Sequence, residues 1–189
     1  MINNQTCLPA ISSMKEFEKF LKSSLDWCIL LDLHVSLVEG MIKDAHNANK
    51  KVIVHLDLIK GVSTDEYGCE FLCQRLKCDG IISTKSKVIE SAKKNKKIAI
   101  QRMFLIDSRS LEKGLNQLRV SAPDYVEILP GIAYEILPMV KGCLTTPLMS
   151  GGLIKNCEMI DRCFEYGATL VSAGSLELAV EYQNKKAGS

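Results

Sequence analysis

The stretch Lys51-Val52-Ile53-Val54-His55-Leu56-Asp57-Leu58 has the length and the β-branched content of a buried strand. Successive side chains of a strand point to opposite faces. One set of alternate residues is wholly apolar and is expected to face outer helices; it consists of Val52, Val54, Leu56 and Leu58. The other set, Ile53, His55 and Asp57, is then expected to point inward, with Asp57 at the carboxyl end.

Similar apolar runs occur on both sides of this stretch, and each one is interpreted as a strand. They are Leu8–Ile11, Trp27–Leu33, Gly80–Thr84, Lys97–Leu105, Tyr125–Leu129, Pro147–Ser150 and Thr169–Ala173. A segment with helical periodicity follows each run. These segments are Met14–Lys22, Leu37–Asn49, Asp65–Leu76, Lys87–Lys94, Ser110–Leu118, Tyr134–Val140, Cys157–Tyr166 and Leu176–Tyr182.

Eight strand-then-helix units predict an α/β fold of the (β/α)8 TIM-barrel-like type. We expect one domain over residues 1–189, with a core of about 8–182 and Asn184–Ser189 as a frayed tail. The alternative is an open doubly wound sheet. The barrel is favoured because no G-x-G-x-x-G follows an early strand and the glycine-rich turns come late.

Composition excludes several classes of protein. The chain has 189 residues, a net charge of +2 and 47% hydrophobic residues, which suits a soluble domain. No apolar run reaches the ~18–20 residues of a membrane helix, so no membrane partner is expected. A charge of +2 is too small to indicate nucleic-acid binding by itself.

The eight cysteines are interpreted as small buried side chains in a reducing cytosol. The cluster Cys69, Cys73 and Cys78 leaves a metal site as the alternative. Zinc sites usually show tight C-x-x-C pairs and two further ligands, and no such pair occurs. We therefore expect no metal and no cofactor.

Polar side chains at the carboxyl ends of the strands are candidates for the site, because barrels build their active sites there. The chain offers Asp32, His34, His55, Asp57, Lys85, Gln101 and Glu127. The residues expected to face outward beside them are Ile29, Leu31, Leu33, Val126 and Ile128. Glu127 and Gln101 are expected to point inward, Gln101 beside Ala99 and Met103, and the direction of Arg102, on the opposite parity, is left open. We interpret this mouth as a site for a small polar ligand; the alternative is a self-satisfied polar lid.

Two glycine turns end the seventh and eighth runs: Ser150-Gly151-Gly152-Leu153 and Ser172-Ala173-Gly174-Ser175. Barrels frequently bind phosphate between these two loops and a helix amino end. Glycine lets backbone approach the oxygens, and free amides donate to them. The turns predict a phosphate site at Gly151, Gly152, Gly174 and Ser175, with simple tight turns as the alternative.

The most basic stretch is Lys93-Lys94-Asn95-Lys96-Lys97. Cations at a helix carboxyl end stabilise the helix dipole, and that is the first interpretation. The second is an RNA-phosphate contact through Lys93, Lys94, Lys96 and Lys97.

Five ordered segments resemble the glycerol uptake operon antiterminator regulatory proteins. The first is Val54-His55-Leu56-Asp57-Leu58-Ile59-Lys60-Gly61. The others are Asp79–Lys85, Ile100–Phe104 with Asp107-Ser108, Glu127-Ile128-Leu129-Pro130-Gly131 and Gly151-Gly152-Leu153-Ile154. The resemblance runs from about Pro9 to Glu181.

The resemblance implies a TIM-barrel-like, non-enzymatic regulator of bacterial cytoplasm that responds to glycerol 3-phosphate and acts on leader mRNA. The ligand phosphate is expected on the two glycine turns and its hydroxyls on some of His55, Asp57, Gln101 and Glu127. A homo-oligomer is left open. The alternative function is a small phosphate-substrate barrel enzyme (isomerase, aldolase or phosphodiesterase) with Asp57 and Glu127 as acid and base.

Overall fold

Eight parallel strands close into a barrel in the computed structural model, which describes Ile2 and residues 5–187. They are β1 Cys7–Ile11, β2 Trp27–Leu30, β3 Lys51–His55, β4 Gly80–Ser83, β5 Ile98–Phe104, β6 Tyr125–Leu129, β7 Leu148–Gly151 and β8 Leu170–Ala173. Neighbours in the sheet are neighbours in sequence, and β8 returns to pair with β1. The predicted (β/α)8 barrel is confirmed, and the open sheet is excluded.

Helices follow the strands and cover the outside of the barrel. They are α1 Met14–Leu21, α2 Val35–Asn47, α3 Glu66–Glu70, α4 Ser86–Lys94, α5 Ser108–Ser121, α6 Leu137–Lys141, α7 Cys157–Glu165 and α8 Leu176–Ala187. A π-helical turn, Phe71–Arg75, extends α3, and 3-10 turns occupy Leu56–Leu58 and Gly131–Ile136. Because α8 reaches Ala187, the expected frayed tail is wrong for residues 184–187, and 188–189 lie outside the described residues.

Short polar caps start several of these helices directly after the loops. The side chains of Ser13, Asp65, Asp107 and Asn156 each accept a hydrogen bond from the backbone amide three residues further on. Such caps satisfy an amide that has no partner within the helix. They allow brief connections, so the barrel closes within a modest chain length.

Two apolar layers confirm the alternation expected for β3. The barrel interior contains Leu8, Ile29, Ile53, Ile82, Ile100, Tyr125, Met149 and Leu170. Val52, Val54 and Leu56 instead pack into the layer between strands and helices. Leu58 leaves the pattern and is 37% exposed, because the chain turns into a 3-10 helix after His55.

The outward directions expected for Ile29 and Leu31 in the second run are wrong, whereas Leu33 packs in the outer layer as expected. Ile29 points into the barrel, because β2 ends at Leu30 and its alternation cannot be counted back from Asp32. Asp32 has a φ of +58°, so the strand pattern stops there. Asp32 and His34 lie at the rim, where the His34 ring accepts a hydrogen bond from the Ser36 amide and caps α2.

Six cysteines are buried, while Cys157 is half-buried and Cys143 is exposed; all eight are free thiols. Burial raises the pKa of the Cys7 thiol to about 12, which keeps it protonated and unreactive. None of the helices in the described part of the chain has the length and apolar character of a membrane span.

Asp79 joins three elements at the amino end of the barrel. Its carboxylate accepts hydrogen bonds from the Val52 amide at 2.9 Å, from the His46 ring at 2.9 Å and from the Lys51 ammonium at 3.1 Å. The Asp79 amide in turn donates to the Val52 carbonyl. This carboxylate therefore fastens β3 and α2 to the start of β4.

We expect Asp79→Ala to lower the free energy of unfolding by about 1–3 kcal/mol, because it leaves the buried Val52 amide without an acceptor. Urea denaturation followed by circular dichroism measures the change. Glu39→Ala, which removes an exposed helix pair with Lys43, is the control and is expected to change stability far less. Equal losses for the two variants would contradict the role given to Asp79.

Candidate functional site

A cavity of about 540 Å³ opens at the carboxyl ends of β7 and β8. We name it the mouth cavity. Its lining consists of Ala10, Leu31, Arg102, Leu129, Gly152, Leu153, Ile154, Lys155, Ser172, Ala173, Gly174, Ser175 and Leu178. Its volume and its mixture of apolar walls with a few polar groups are typical of small-molecule sites. The structure thus brings Gly152, Gly174 and Ser175 together around one space.

Local backbone geometry shapes the two loops. Gly152 and Leu153 have φ values of +84° and +61°, a left-handed pair that reverses the chain after β7. The Gly152 carbonyl accepts a hydrogen bond from the Gly131 amide at 2.9 Å, which fixes the loop. Ser175 precedes α8, and its hydroxyl accepts a hydrogen bond from the Leu178 amide. The first-turn amides of α8 therefore start at the edge of the mouth cavity.

A buried ionic cluster lies beneath the mouth cavity. The Glu127 carboxylate has no solvent exposure and accepts hydrogen bonds from Arg102 Nε at 2.6 Å and from Ser172 Oγ at 2.6 Å. A Cβ atom on Gly151 would collide with Ser172 Oγ and with Glu127 Oε1. Gly151 is consequently buried packing under the cavity, and it does not line it.

Two cations face the mouth cavity. Arg102 is 12% exposed, and within the described residues only its Nε forms a hydrogen bond, so its terminal nitrogens remain available to the cavity. Lys155 lies on the exposed loop after β7 and completes the lining. Sequence reasoning left the direction of Arg102 open and missed Lys155. A lysine shortly after the Gly-Gly turn was the available signal.

His55, at the carboxyl end of β3, is 2% exposed and lies outside the lining of the mouth cavity, and neither ring nitrogen has a hydrogen-bond partner among the described residues. Burial, together with the nearby positive charge of Arg102, lowers the pKa of His55 to about 4, against the opposing charges of Asp57 and Glu127. The ring is therefore neutral near pH 7, with one donor and one acceptor nitrogen.

Asp57 and Lys85 lie away from the mouth cavity. The Asp57 carboxylate accepts hydrogen bonds from Ser83 Oγ at 2.5 Å, from the Thr84 amide at 2.8 Å and from Thr84 Oγ1 at 2.7 Å. These contacts clasp the turn after β3 to the end of β4. Lys85 is exposed and donates to the Thr64 carbonyl at 2.7 Å.

The inward direction expected for Gln101 is wrong. Gln101 points into the outer layer, where its side chain bonds to Ser86 at the start of α4 and to Ser121 at the end of α5. Ala99 and Met103 share that side, against the helices. Ile100 and Arg102 occupy the interior positions of β5, so the inward set is shifted by one residue from the expected one.

The lysine run lies at the other end of the barrel from the mouth. Lys93 and Lys94 form the carboxyl end of α4, and Lys96 has a φ of +56° in the turn that follows. Lys93, Lys96 and Lys97 line a second cavity of about 380 Å³, where Lys93 pairs with Asp124 at 2.5 Å. These residues do not join the mouth.

Among the described residues, no group of three or more His, Cys, Asp or Glu side chains is arranged to hold a metal ion. Cys69 and Cys73 approach at 3.8 Å between sulfurs, as neighbouring buried thiols on one helical face. This contact and burial raise the pKa of Cys69.

Comparison with known proteins identifies the family to which the chain is similar. The family model for the glycerol-3-phosphate responsive antiterminator matches residues 7–178. The crystal structure of the glycerol uptake operon antiterminator regulatory protein from Listeria monocytogenes is 37% identical, with a TM-score of 0.90, over 94% of this chain and 96% of that one.

Two further matches agree. A glycerol uptake operon antiterminator-related protein from Thermotoga maritima is 26% identical, with a TM-score of 0.80, over 93% of this chain and 98% of that one. The uncharacterized protein YgcP of Escherichia coli (strain K12) is 30% identical over 167 residues, 87% of each chain. The resemblance found in the sequence is confirmed, and the chain belongs to the glycerol-3-phosphate responsive antiterminator family.

Proposed function

We propose that the protein is a non-catalytic regulator that binds glycerol 3-phosphate in the mouth cavity and, in response, acts on the leader mRNA of a glycerol-utilisation operon. Family membership supports the response and the regulatory role. The chemistry of the lining residues supports the location of the site.

The observation that carries the proposal is the convergence of two cations and a helix amino end on one cavity. Arg102, Lys155 and the start of α8 all border the mouth cavity. Guanidinium, ammonium and unpaired amides are the groups that bind phosphate oxygens. Gly152 and Gly174 carry no side chain that would keep these oxygens away from the backbone. A phosphate monoester therefore fits here in charge and in size.

The glycerol portion is assigned to the deeper part of the mouth. The neutral His55 ring has a donor and an acceptor that no described protein group uses. A buried polar group without a partner costs free energy, and a ligand hydroxyl would remove that cost. We assign one hydroxyl to His55, while Glu127 holds Arg102 in position.

The alternative function, a barrel enzyme, would use the Asp57 and Glu127 carboxylates as acid and base, but both already accept hydrogen bonds from protein groups. Asp57 accepts three hydrogen bonds from Ser83 and Thr84, and Glu127 is paired with Arg102 and Ser172. Acid–base catalysis needs a carboxyl group within reach of the reacting proton. These hydrogen bonds support a binding role for the site, and recovery of unchanged ligand by NMR after long incubation tests it.

In thermal-shift titrations, we expect glycerol 3-phosphate to stabilise the protein, by about 2.7 kcal/mol at one hundred times the dissociation constant. Inorganic phosphate is expected to bind more weakly, and glycerol at the same concentration to give no shift. A shift from glycerol alone, or none from glycerol 3-phosphate, contradicts the proposed site.

Two variants test the phosphate contact and the hydroxyl contact of the ligand separately. Lys155→Ala is expected to weaken both glycerol 3-phosphate and phosphate by about tenfold, since a charge-assisted hydrogen bond contributes about 1.5 kcal/mol. His55→Leu is expected to weaken glycerol 3-phosphate and leave phosphate binding unchanged. Lys94→Ala, at the far end of α4, is the control. Isothermal titration calorimetry measures all three, and equal effects of Lys155→Ala and Lys94→Ala would remove the phosphate assignment.

His55 also gives a pH prediction for the ligand-free protein. Its folded pKa of about 4 lies below the usual 6.5, so the unfolded chain takes up the proton first as the pH falls. The stability associated with the neutral ring is present above pH 6.5 and is lost between about 6.5 and 4, by about 3 kcal/mol. Urea unfolding at several pH values should show this loss in the wild type and a flatter profile in His55→Leu. Parallel profiles would contradict the burial of a neutral ring.

A further inference from the structure

The positive charge of the chain is concentrated in one sector of the barrel. Residues 85–119, which run through α4, β5 and most of α5, contain ten Lys or Arg and three Asp or Glu. The remaining residues contain fourteen Lys or Arg and nineteen Asp or Glu. The sector therefore carries +7 and the rest of the chain −5, an asymmetry that the total of +2 conceals. A surface with such a bias attracts polyanions.

At the mouth end of this sector, several of the positively charged side chains line a groove. It has a volume of about 410 Å³ and lies between the end of β4, the end of β5 and the inner turns of α5. Its cations are Lys85, Arg102 and Lys113, and no carboxylate is found among the described residues that line it. The groove is thus separate from the mouth cavity, but Arg102 borders both.

An exposed aromatic ring stands among these cations. Phe104 ends β5 and is 52% exposed, although its backbone is still paired with Leu129 of β6. The amide of Gln117 lines the same groove and offers a neutral hydrogen-bonding group, while the Ser110 hydroxyl beside it is engaged in the cap of α5. An aromatic face bordered by cations and short polar side chains is the combination that binds unpaired nucleotides, with bases stacked on the ring and phosphates on the cations.

We propose that this groove is the RNA-binding surface, taking single-stranded RNA with a base stacked on Phe104 and flanking phosphates on Lys85 and Lys113. The inference rests on the proposed function, and it adds the surface and the strand state of the RNA. A groove for an acidic protein segment would need the cations alone; the solvent-facing ring favours nucleotides.

The shared arginine connects this surface to the effector. The Arg102 guanidinium is held through Nε by Glu127, its terminal nitrogens have no hydrogen-bond partner among the described residues, and the residue lines both cavities. A phosphate bound in the mouth cavity draws on those nitrogens, which changes the charge that Arg102 presents to the groove. Ligand binding in the mouth cavity can therefore change the affinity of the groove for RNA through Arg102.

The test is fluorescence anisotropy of the full chain with a labelled random-sequence RNA of about 20 nucleotides, over a range of salt concentrations. Lys113→Glu is expected to weaken binding at least tenfold and to reduce the salt slope by about 0.7 for each phosphate that is no longer neutralised. Lys15→Glu, exposed on α1 across the barrel, is the matched charge control and is expected to change affinity by less than twofold beyond the general charge effect.

Phe104 separates RNA from other polyanions. Phe104→Leu keeps apolar bulk but has no π face, and about a tenfold decrease in affinity is expected; Phe104→Tyr should retain wild-type affinity. Unchanged binding in Phe104→Leu, or equal displacement of the RNA by a poly-glutamate peptide, would overturn the nucleotide assignment.

Two outcomes distinguish this inference from the proposed function. Equal decreases in Lys113→Glu and Lys15→Glu, with RNA still bound by the wild type, overturn the groove and leave the regulator proposal intact. No RNA binding by the wild type overturns both the groove and the RNA-directed action, while the thermal shift with glycerol 3-phosphate still reports on the mouth cavity independently.

Discussion

A carboxylate with no access to water is stable in a protein only when it is paired and fully hydrogen-bonded. Glu127 meets this requirement through Arg102 on β5 and Ser172 on β8, while Gly151 on β7 supplies the space for the carboxylate. Four consecutive strands, β5 to β8, therefore meet in one cluster. The mouth cavity is built above that cluster, so its cation is set in place by the same contact that satisfies the buried charge.

Strand alternation could be predicted where apolar and polar residues differ clearly within the strand. In β3 the outward set is apolar and the inward set includes Ile53 and His55 within the strand, and the interior position of Ile53 follows that pattern. In β6, Glu127 lies between two outward-facing apolar residues and points inward. In both strands, the alternation covers enough residues within the strand to determine which side chains face inward and which face outward.

The same reasoning failed in β2 and β5 for identifiable reasons. In the second run, both alternate sets of residues within the strand are apolar. The polar residues come after the strand ends at Leu30, beginning with Asp32, whose backbone is in the left-handed conformation. In β5, Gln101 and Arg102 are adjacent polar residues, and only packing decides between them: Met103 occupies the space beside Gly114 of α5, which assigns Gln101 to the outer layer. Lys155 depends on the left-handed reversal at Gly152 and Leu153, which is a property of the folded loop.

The convergence of the two glycine turns was predictable for a different reason. Once a barrel is assigned, β7 and β8 must be neighbours, and the loops that follow them open on the same end. The residues that complete the site come from β5 and from the loop after β7, and their inclusion required side-chain directions that the sequence leaves open.

The opposite orientations of Gln101 and Arg102 have a mechanical consequence. One backbone step in β5 connects an inward side chain, which borders the mouth cavity and bonds to Glu127, to an outward one bonded to both Ser86 of α4 and Ser121 of α5. A shift of this strand would therefore act directly on α4 and α5, two helices of the positively charged sector. The mouth cavity and the charged exterior of the barrel are thus joined by a single peptide unit.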